Sequence, residues 1–198
     1  MKILLSSNKK IIKDYIGENA KIGFIPTASE PDTDRWYMEK DRKELEDMKF
    51  QIFEIDITNE TSDIIREKFK KMDAVFVAGG NCFYLLQQLK QKDVLEDLIQ
   101  FSNNKIYIGS SAGSCIACPS IAYIEKLDDK MQAPLLKDYS AMNLINGYIL
   151  PHYDSDIEYT KTINEIINEF PNLEFIKLRN DQAIIVNNVR DYQIKYTD

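Results

Sequence analysis

Short apolar runs alternate along this chain with longer stretches in which apolar residues return every three or four positions. The runs are Lys2–Leu5, Ile22–Ile25, Gln51–Ile55, Ala74–Val77 and Lys105–Ile108, rich in Ile, Val, Phe and Tyr. Runs this short and this apolar predict strands covered on both faces. Between them, Thr33–Met48, Asp63–Met72 and Cys82–Gln100 carry the helical period, with Asn81 placed to cap the third. Strand–helix–strand alternation predicts a mostly parallel sheet with helices on both faces, a three-layer α/β/α sandwich.

Beyond Pro119 the pattern changes. Tyr123–Tyr139 is charged and weakly periodic and reads as an excursion or hairpin. Ile149-Leu150-Pro151 reads as a strand end, and Ser155–Phe170 as a helix stopped by Pro171. Phe175–Leu178, Ala183–Val186 and Tyr192–Tyr196 are expected as strands of a terminal meander on one sheet edge. No internal repeat is present, and residues 1–198 are expected to form one domain.

In parallel sheets chemistry sits at the carboxyl ends of the strands. Three small-residue segments fall there: Pro26-Thr27-Ala28-Ser29, Gly79-Gly80-Asn81 and Gly109-Ser110-Ser111-Ala112-Gly113. The last is a G-x-S-x-G. A serine hydroxyl is a weak nucleophile unless it is exposed, oriented and relieved of its proton. A sharp strand-to-helix turn exposes it, and the flanking glycines remove Cβ atoms that would clash there. The N–H of Ala112 then points at a developing oxyanion, and Gly79-Gly80-Asn81 could supply a second donor. Ser111 holds the central position and is the candidate nucleophile; Ser110 and Ser114 are its neighbours.

His152 is the sole histidine, and it follows the apolar run ending at Leu150. Imidazole titrates near neutrality, so His152 is the candidate general base. A carboxylate behind it would complete a triad; Glu125, Asp128, Asp129, Asp154 and Asp181 are all available.

Composition narrows the partners. The net charge of −7 opposes nucleic acid, and no apolar stretch is long enough for a membrane span. The first apolar run turns polar too soon for a signal peptide, so a cytoplasmic location is expected. Cys82, Cys115 and Cys118 are expected as free thiols. The C-x-x-C lacks the further ligands a zinc site needs, so no metal and no cofactor are expected.

Several of these segments occur together in a known family. Phe24–Ala28, Ala78–Leu86, Ile108–Ser114, Asp138–Leu144 and Leu150–Tyr153 resemble, in the same order, motifs of the peptidase E (aspartyl dipeptidase) family. The resemblance runs from about residue 2 to 186. It implies a class I glutamine amidotransferase-like fold and hydrolysis of short peptides, typically dipeptides with N-terminal aspartate. By motif it implies Ser111 as nucleophile, His152 as base, and Gly80 and Ala112 as backbone oxyanion donors. It places the triad acid at Asp128, with Asp181 as the alternative. Two positions depart from the family pattern. Cys82 replaces a usual threonine, and the helix after the histidine has no arginine to hold a substrate aspartate. Its only base is Lys161, which with Asn81 is the expected substrate contact. The expected protein is thus a serine-type exopeptidase acting through an acyl-enzyme, a monomer or homodimer, whose partner is a short peptide. The rivals are an esterase or amidase on the same residues, a non-catalytic binding protein of the same fold, and a thiol enzyme using Cys115.

Overall fold

The computed structural model describes residues 2–6 and 9–196. A seven-stranded sheet runs in the order β3-β2-β4-β5-β1-β8-β9. Its strands are β1 Lys2–Ser6, β2 Lys21–Ile25, β3 Gln51–Glu54, β4 Ala74–Val77, β5 Ile106–Gly109, β8 Gln182–Asn188 and β9 Asp191–Tyr196. The first five are mutually parallel; β8 joins β1 antiparallel, and β9 folds back on β8 as the edge. The expected mostly parallel sheet flanked by helices is therefore the observed one.

Side chains alternate across a strand, so each buried strand feeds two cores. Ile3 and Leu5, Val75 and Val77, Tyr107, and Ile184 and Val186 point to one face. Leu4, Ala74 and Phe76, Ile108, and Ala183 and Ile185 point to the other. The first core is covered by α2 (Ser62–Lys71), α3 (Cys82–Gln91), α4 (Leu95–Asn104), the one-turn α5 (Ala112–Cys115) and α6 (Ile157–Glu169). The second is covered by α1 (Trp36–Asp47) and a 3-10 segment at Lys10–Asp14. Continuous apolar strands rather than alternating ones are what such two-sided burial requires.

Two expectations are corrected and a third is resolved. The Cys82–Gln100 helix is two helices: Asp93 adopts φ 53° and the Val94 N–H turns back to the Leu89 carbonyl, which ends α3 before α4 begins. Phe175–Leu178 does not join the terminal meander. Its strand, β7 (Phe175–Lys177), pairs in parallel with β6 (Tyr148–Leu150) in a separate two-stranded sheet. Of the excursion or hairpin expected at residues 123–139 the chain forms the excursion; this strap holds two 3-10 turns, and the residues flanking it meet at an isolated bridge, Ser120 to Ser140. It is tied down where the Met142, Asn143 and Leu144 N–H groups donate to carbonyls of Ile116, Cys118 and Ala117.

Among the described residues, no helix is long and apolar enough to cross a membrane.

Candidate active site

The carboxyl ends of β4 and β5 lie side by side, with Val77 registered against Gly109. The turn after β5 is compact because glycines allow it. A Cβ on Gly109 would lie 2.5 Å from the Gly113 carbonyl oxygen, and one on Gly113 would lie 2.3 Å from that of Val77. The Tyr107 hydroxyl donates to the Gly113 carbonyl at 2.6 Å and the Ser114 hydroxyl to the Gly109 carbonyl at 2.8 Å, tying strand to helix. The chain turns at Ser111 with φ 49° and ψ −107°, a strained conformation for a residue with a side chain. This is the strand–turn–helix geometry that lifts a hydroxyl above the sheet. The cost of that strain is offset by the surrounding hydrogen bonds and by the buried α5.

After β4, Gly80 has φ 134°, and a Cβ there would sit 2.1 Å from the Ala28 carbonyl oxygen. Asn81 caps α3: its Oδ1 accepts the Tyr84 N–H at 2.9 Å, and its Nδ2 donates to the Asp129 carbonyl at 2.9 Å. Both ends of its amide are thus engaged by the protein. Among the described residues, neither the Gly80 nor the Ala112 N–H donates to another protein group.

His152 follows β6 with φ 57°. Its Nε2 lies 3.0 Å from Ser111 Oγ, and its Nδ1 lies 2.7 Å from Asn180 Oδ1. Asn180 sits on the turn that leads into β8. An Asn Oδ1 can only accept, so this contact places the proton on Nδ1 and leaves Nε2 to accept from Ser111. The Tyr159 ring of α6 stands edge-on to the imidazole, with centroids 6.1 Å apart.

The carboxylates expected behind His152 are elsewhere. Asp128, carried by the strap, lines the same cleft, but its Oδ2 accepts the Cys82 N–H at 2.7 Å. Burial pushes its carboxyl above the usual range, the Cys82 contact draws it down, and the nearby Asp32 charge raises it again. Asp181 faces outward and meets Arg179 at 3.2 Å, because in this turn it is its neighbour Asn180 that points at the imidazole. Asp154 also meets Arg179, at 3.5 Å, and Glu125 pairs with Lys130. Lys161 is exposed and borders a separate depression with Asp154 and Asn168 rather than the cleft.

The cleft that holds Ser111 and His152 has a volume of about 1100 Å³. Gly80, Asn81 and Asp128 line it too. So do residues with no sequence signal of their own: Asp32, Trp36, Tyr37, Tyr159 and Asn180. A lip, residues 30–37, forms one wall. The Glu30 carboxylate accepts the hydroxyls of Thr58 at 2.7 Å and Tyr84 at 2.8 Å, and Tyr37 donates its hydroxyl to Asp32. Arg35 is spent on the Glu30 and Asp32 carbonyls. The three cysteines are free and buried below this floor. Burial lifts the Cys118 thiol to about 12, and the contact with Cys115, together with burial, lifts Cys82 as well.

A parallel sheet presenting a serine elbow beside a histidine belongs to the world of hydrolases, and the comparisons with known proteins make the class specific: this is a peptidase. The chain belongs to peptidase family S51, whose model matches residues 2–193. It is 35% identical over 179 residues to an uncharacterized peptidase of Pasteurella multocida, covering 88% of this chain and 86% of that protein. It is 35% identical over 150 residues to the peptidase E of a Nostoc species, spanning 74% of this chain and 58% of that protein. Its fold superposes on the crystal structure of a Listeria monocytogenes EGD-e protein assigned to peptidase E with TM-score 0.90. That match has 31% identity and covers 100% of this chain and 98% of the other.

Proposed function

We propose that this chain is a serine peptidase that cleaves short peptides, with Ser111 as nucleophile and His152 as general base. The observation that carries this reading is the 3.0 Å contact between Ser111 Oγ and His152 Nε2, made at the strand ends inside the cleft.

In the proposed reaction Ser111 Oγ attacks the scissile carbonyl carbon while Nε2 takes the hydroxyl proton. The carbonyl oxygen becomes an oxyanion facing the N–H groups of Gly80 and Ala112. When the tetrahedral species collapses, the C–N bond breaks and Nε2 delivers its proton to the departing amine. Water then attacks the acyl carbon, giving a proton to Nε2, and the ester bond to Ser111 breaks as that proton returns to Oγ. Asn180 holds the Nδ1–H tautomer throughout, a positioning part played by an amide where a carboxylate was expected. Asp128 acts on the imidazolium through the field across the cleft, and the charge that forms on His152 draws the Asp128 carboxyl down against the effect of its burial.

A fluorophosphonate probe tests the reading. Intact protein is expected to take one label, on Ser111, and Ser111→Ala to lose both labelling and dipeptide turnover. Full turnover in Ser111→Ala would sink it. A panel pairing each dipeptide with the matching ester separates a peptidase from an esterase on the same residues.

A further inference from the structure

The wall of the cleft facing Ser111 is acidic. Asp32, Asp128 and Asp129 line it, and no arginine does. Four lysines also line the cleft, Lys9, Lys10 and Lys13 at the 3-10 segment and Lys40 on α1; Lys9 is taken by Asp41 and Glu44 and Lys40 by Glu44. Arg35, the one guanidinium on the lip, is committed to backbone carbonyls. Tyr37 fixes the Asp32 carboxylate by its Oδ2; among the described residues Oδ1 accepts nothing. Trp36, 63% exposed, stands edge-to-face with Tyr37 at 6.2 Å and lines the cleft beside it. A second observation adds a hydroxyl to the same space. Ser110 is only 4% exposed and lines the cleft, yet its hydroxyl has no partner among the described residues. That hydroxyl is not shut off from the cleft, so a ligand group placed there can pair with it.

From these features, and resting on the Ser111–His152 reading, we propose that the wall formed by Asp32, Tyr37 and Asp128 binds a positively charged group of the peptide. The substrate class is then a short peptide with an ammonium or guanidinium next to the scissile bond, not one led by an aspartate side chain. The sign of the wall excludes the aspartate: a substrate carboxylate placed there would meet carboxylates without a compensating fork of donors. A cation there gains Asp32 Oδ1, the Ser110 hydroxyl and the aromatic face of Trp36. Tyr37 resists ionising beside Asp32, chiefly through burial, so it remains a donor and keeps Asp32 oriented.

Two sources of charge fit this chemistry, the α-ammonium and a basic side chain, and binding to the Ser111→Ala protein separates them without turnover. Trp36 is the only tryptophan of the chain, so its fluorescence reports occupancy directly, with calorimetry as the check. Lysyl-alanine is expected to bind about tenfold more tightly than aspartyl-alanine, and Asp32→Asn in the same background is expected to abolish that preference. If norleucyl-alanine matches lysyl-alanine and N-acetylation removes binding, the α-ammonium is the group held. If N-acetyl-lysyl-alanine still binds and norleucyl-alanine does not, it is the side chain. Equal or tighter binding of aspartyl-alanine would overturn the proposal, as would a loss in Asp32→Asn no larger for a peptide that carries the held cation than for one that lacks it. The first of these needs no wall variant to fold. Failure of the serine reading would show separately, as absence of fluorophosphonate labelling on the unmodified protein.

Discussion

Nδ1 of His152 faces the side-chain oxygen of Asn180 at 2.7 Å, so a neutral amide occupies the place where a carboxylate was expected. An amide can fix the imidazole tautomer but cannot balance the charge that forms on it. Asn180→Leu should therefore lower kcat by roughly 10² with KM little changed, since the interaction tightens only when the ring is cationic. Asn180→Asp should keep kcat or raise it and shift the acidic limb of its pH profile. Steady-state kinetics of both variants across pH decide the matter; an unchanged kcat in Asn180→Leu would remove Asn180 from the machinery.

Ser111 stores strain. A glycine there adopts φ 49° without cost, so Ser111→Gly should abolish turnover while stabilising the fold by about 1 kcal/mol, or roughly 2–4 °C in Tm. Differential scanning calorimetry beside Ser111→Ala checks this. A Ser111→Gly protein that melts below Ser111→Ala would show the turn to be relaxed.

Gly80 and Gly17 make a controlled pair. A Cβ on Gly80 meets the Ala28 carbonyl oxygen at 2.1 Å in a left-handed backbone, while one on Gly17 meets nothing within 4 Å. Gly80→Ala should cost roughly 3 kcal/mol and displace the Asn81 cap with it, whereas Gly17→Ala should be neutral or stabilising by up to about 1 kcal/mol. Urea denaturation of the two variants reads the contrast.

The raised carboxyl of Asp128 has a signature in stability. Burial lifts its pKa in the folded chain, so the folded chain holds a proton where the unfolded chain has released it. Unfolding then releases that proton, and stability falls as pH rises from about 4, the ordinary carboxyl range, through the raised value. Asp128→Asn keeps an acceptor for the Cys82 N–H and removes the titration. The wild-type minus variant difference in unfolding free energy should therefore decline across that window. A flat difference would place Asp128 in contact with bulk water.

Thiol chemistry should be silent. All three cysteines are buried, and Cys118 is held to about 12 by burial, so iodoacetamide at pH 8 should leave the native protein unalkylated and fully active. After denaturation all three should react, by mass spectrometry. Loss of activity with native alkylation would return Cys115 to consideration as a nucleophile.

The parallel strands were legible because burial on both faces forces their sequences to be continuously apolar, and their ends located the elbow and His152. Other features follow from contacts that sequence spacing does not encode. The break at Asp93 has neither glycine nor proline to announce it; it is made by one left-handed residue and the Val94 N–H returning to the Leu89 carbonyl. The pairing of β6 with β7 joins two three-residue strands, too short for a period to register. Asp181 drew attention because it is charged, yet a one-residue offset at the entrance to β8 gives the contact to Asn180. Among lip residues, Asp32 and Tyr37 read as ordinary surface positions until the chain brings them opposite Ser111.

The lip at residues 30–37 and the proposed reacting groups come from different parts of the chain. Ser111 stands on the turn after β5 of the large sheet, and His152 and Asn180 on the turns after β6 and β7 of the two-stranded one, whereas the lip is a connection running into the first turn of α1, pinned by Glu30 and Arg35. On the proposed reading of the lip, selectivity can drift while reactivity is inherited unchanged: a lineage that rewrites residues 30–37 acquires a new diet with the old chemistry. Transplanting a lip between two relatives should carry the substrate preference with it, and the sheet need not be asked to adapt.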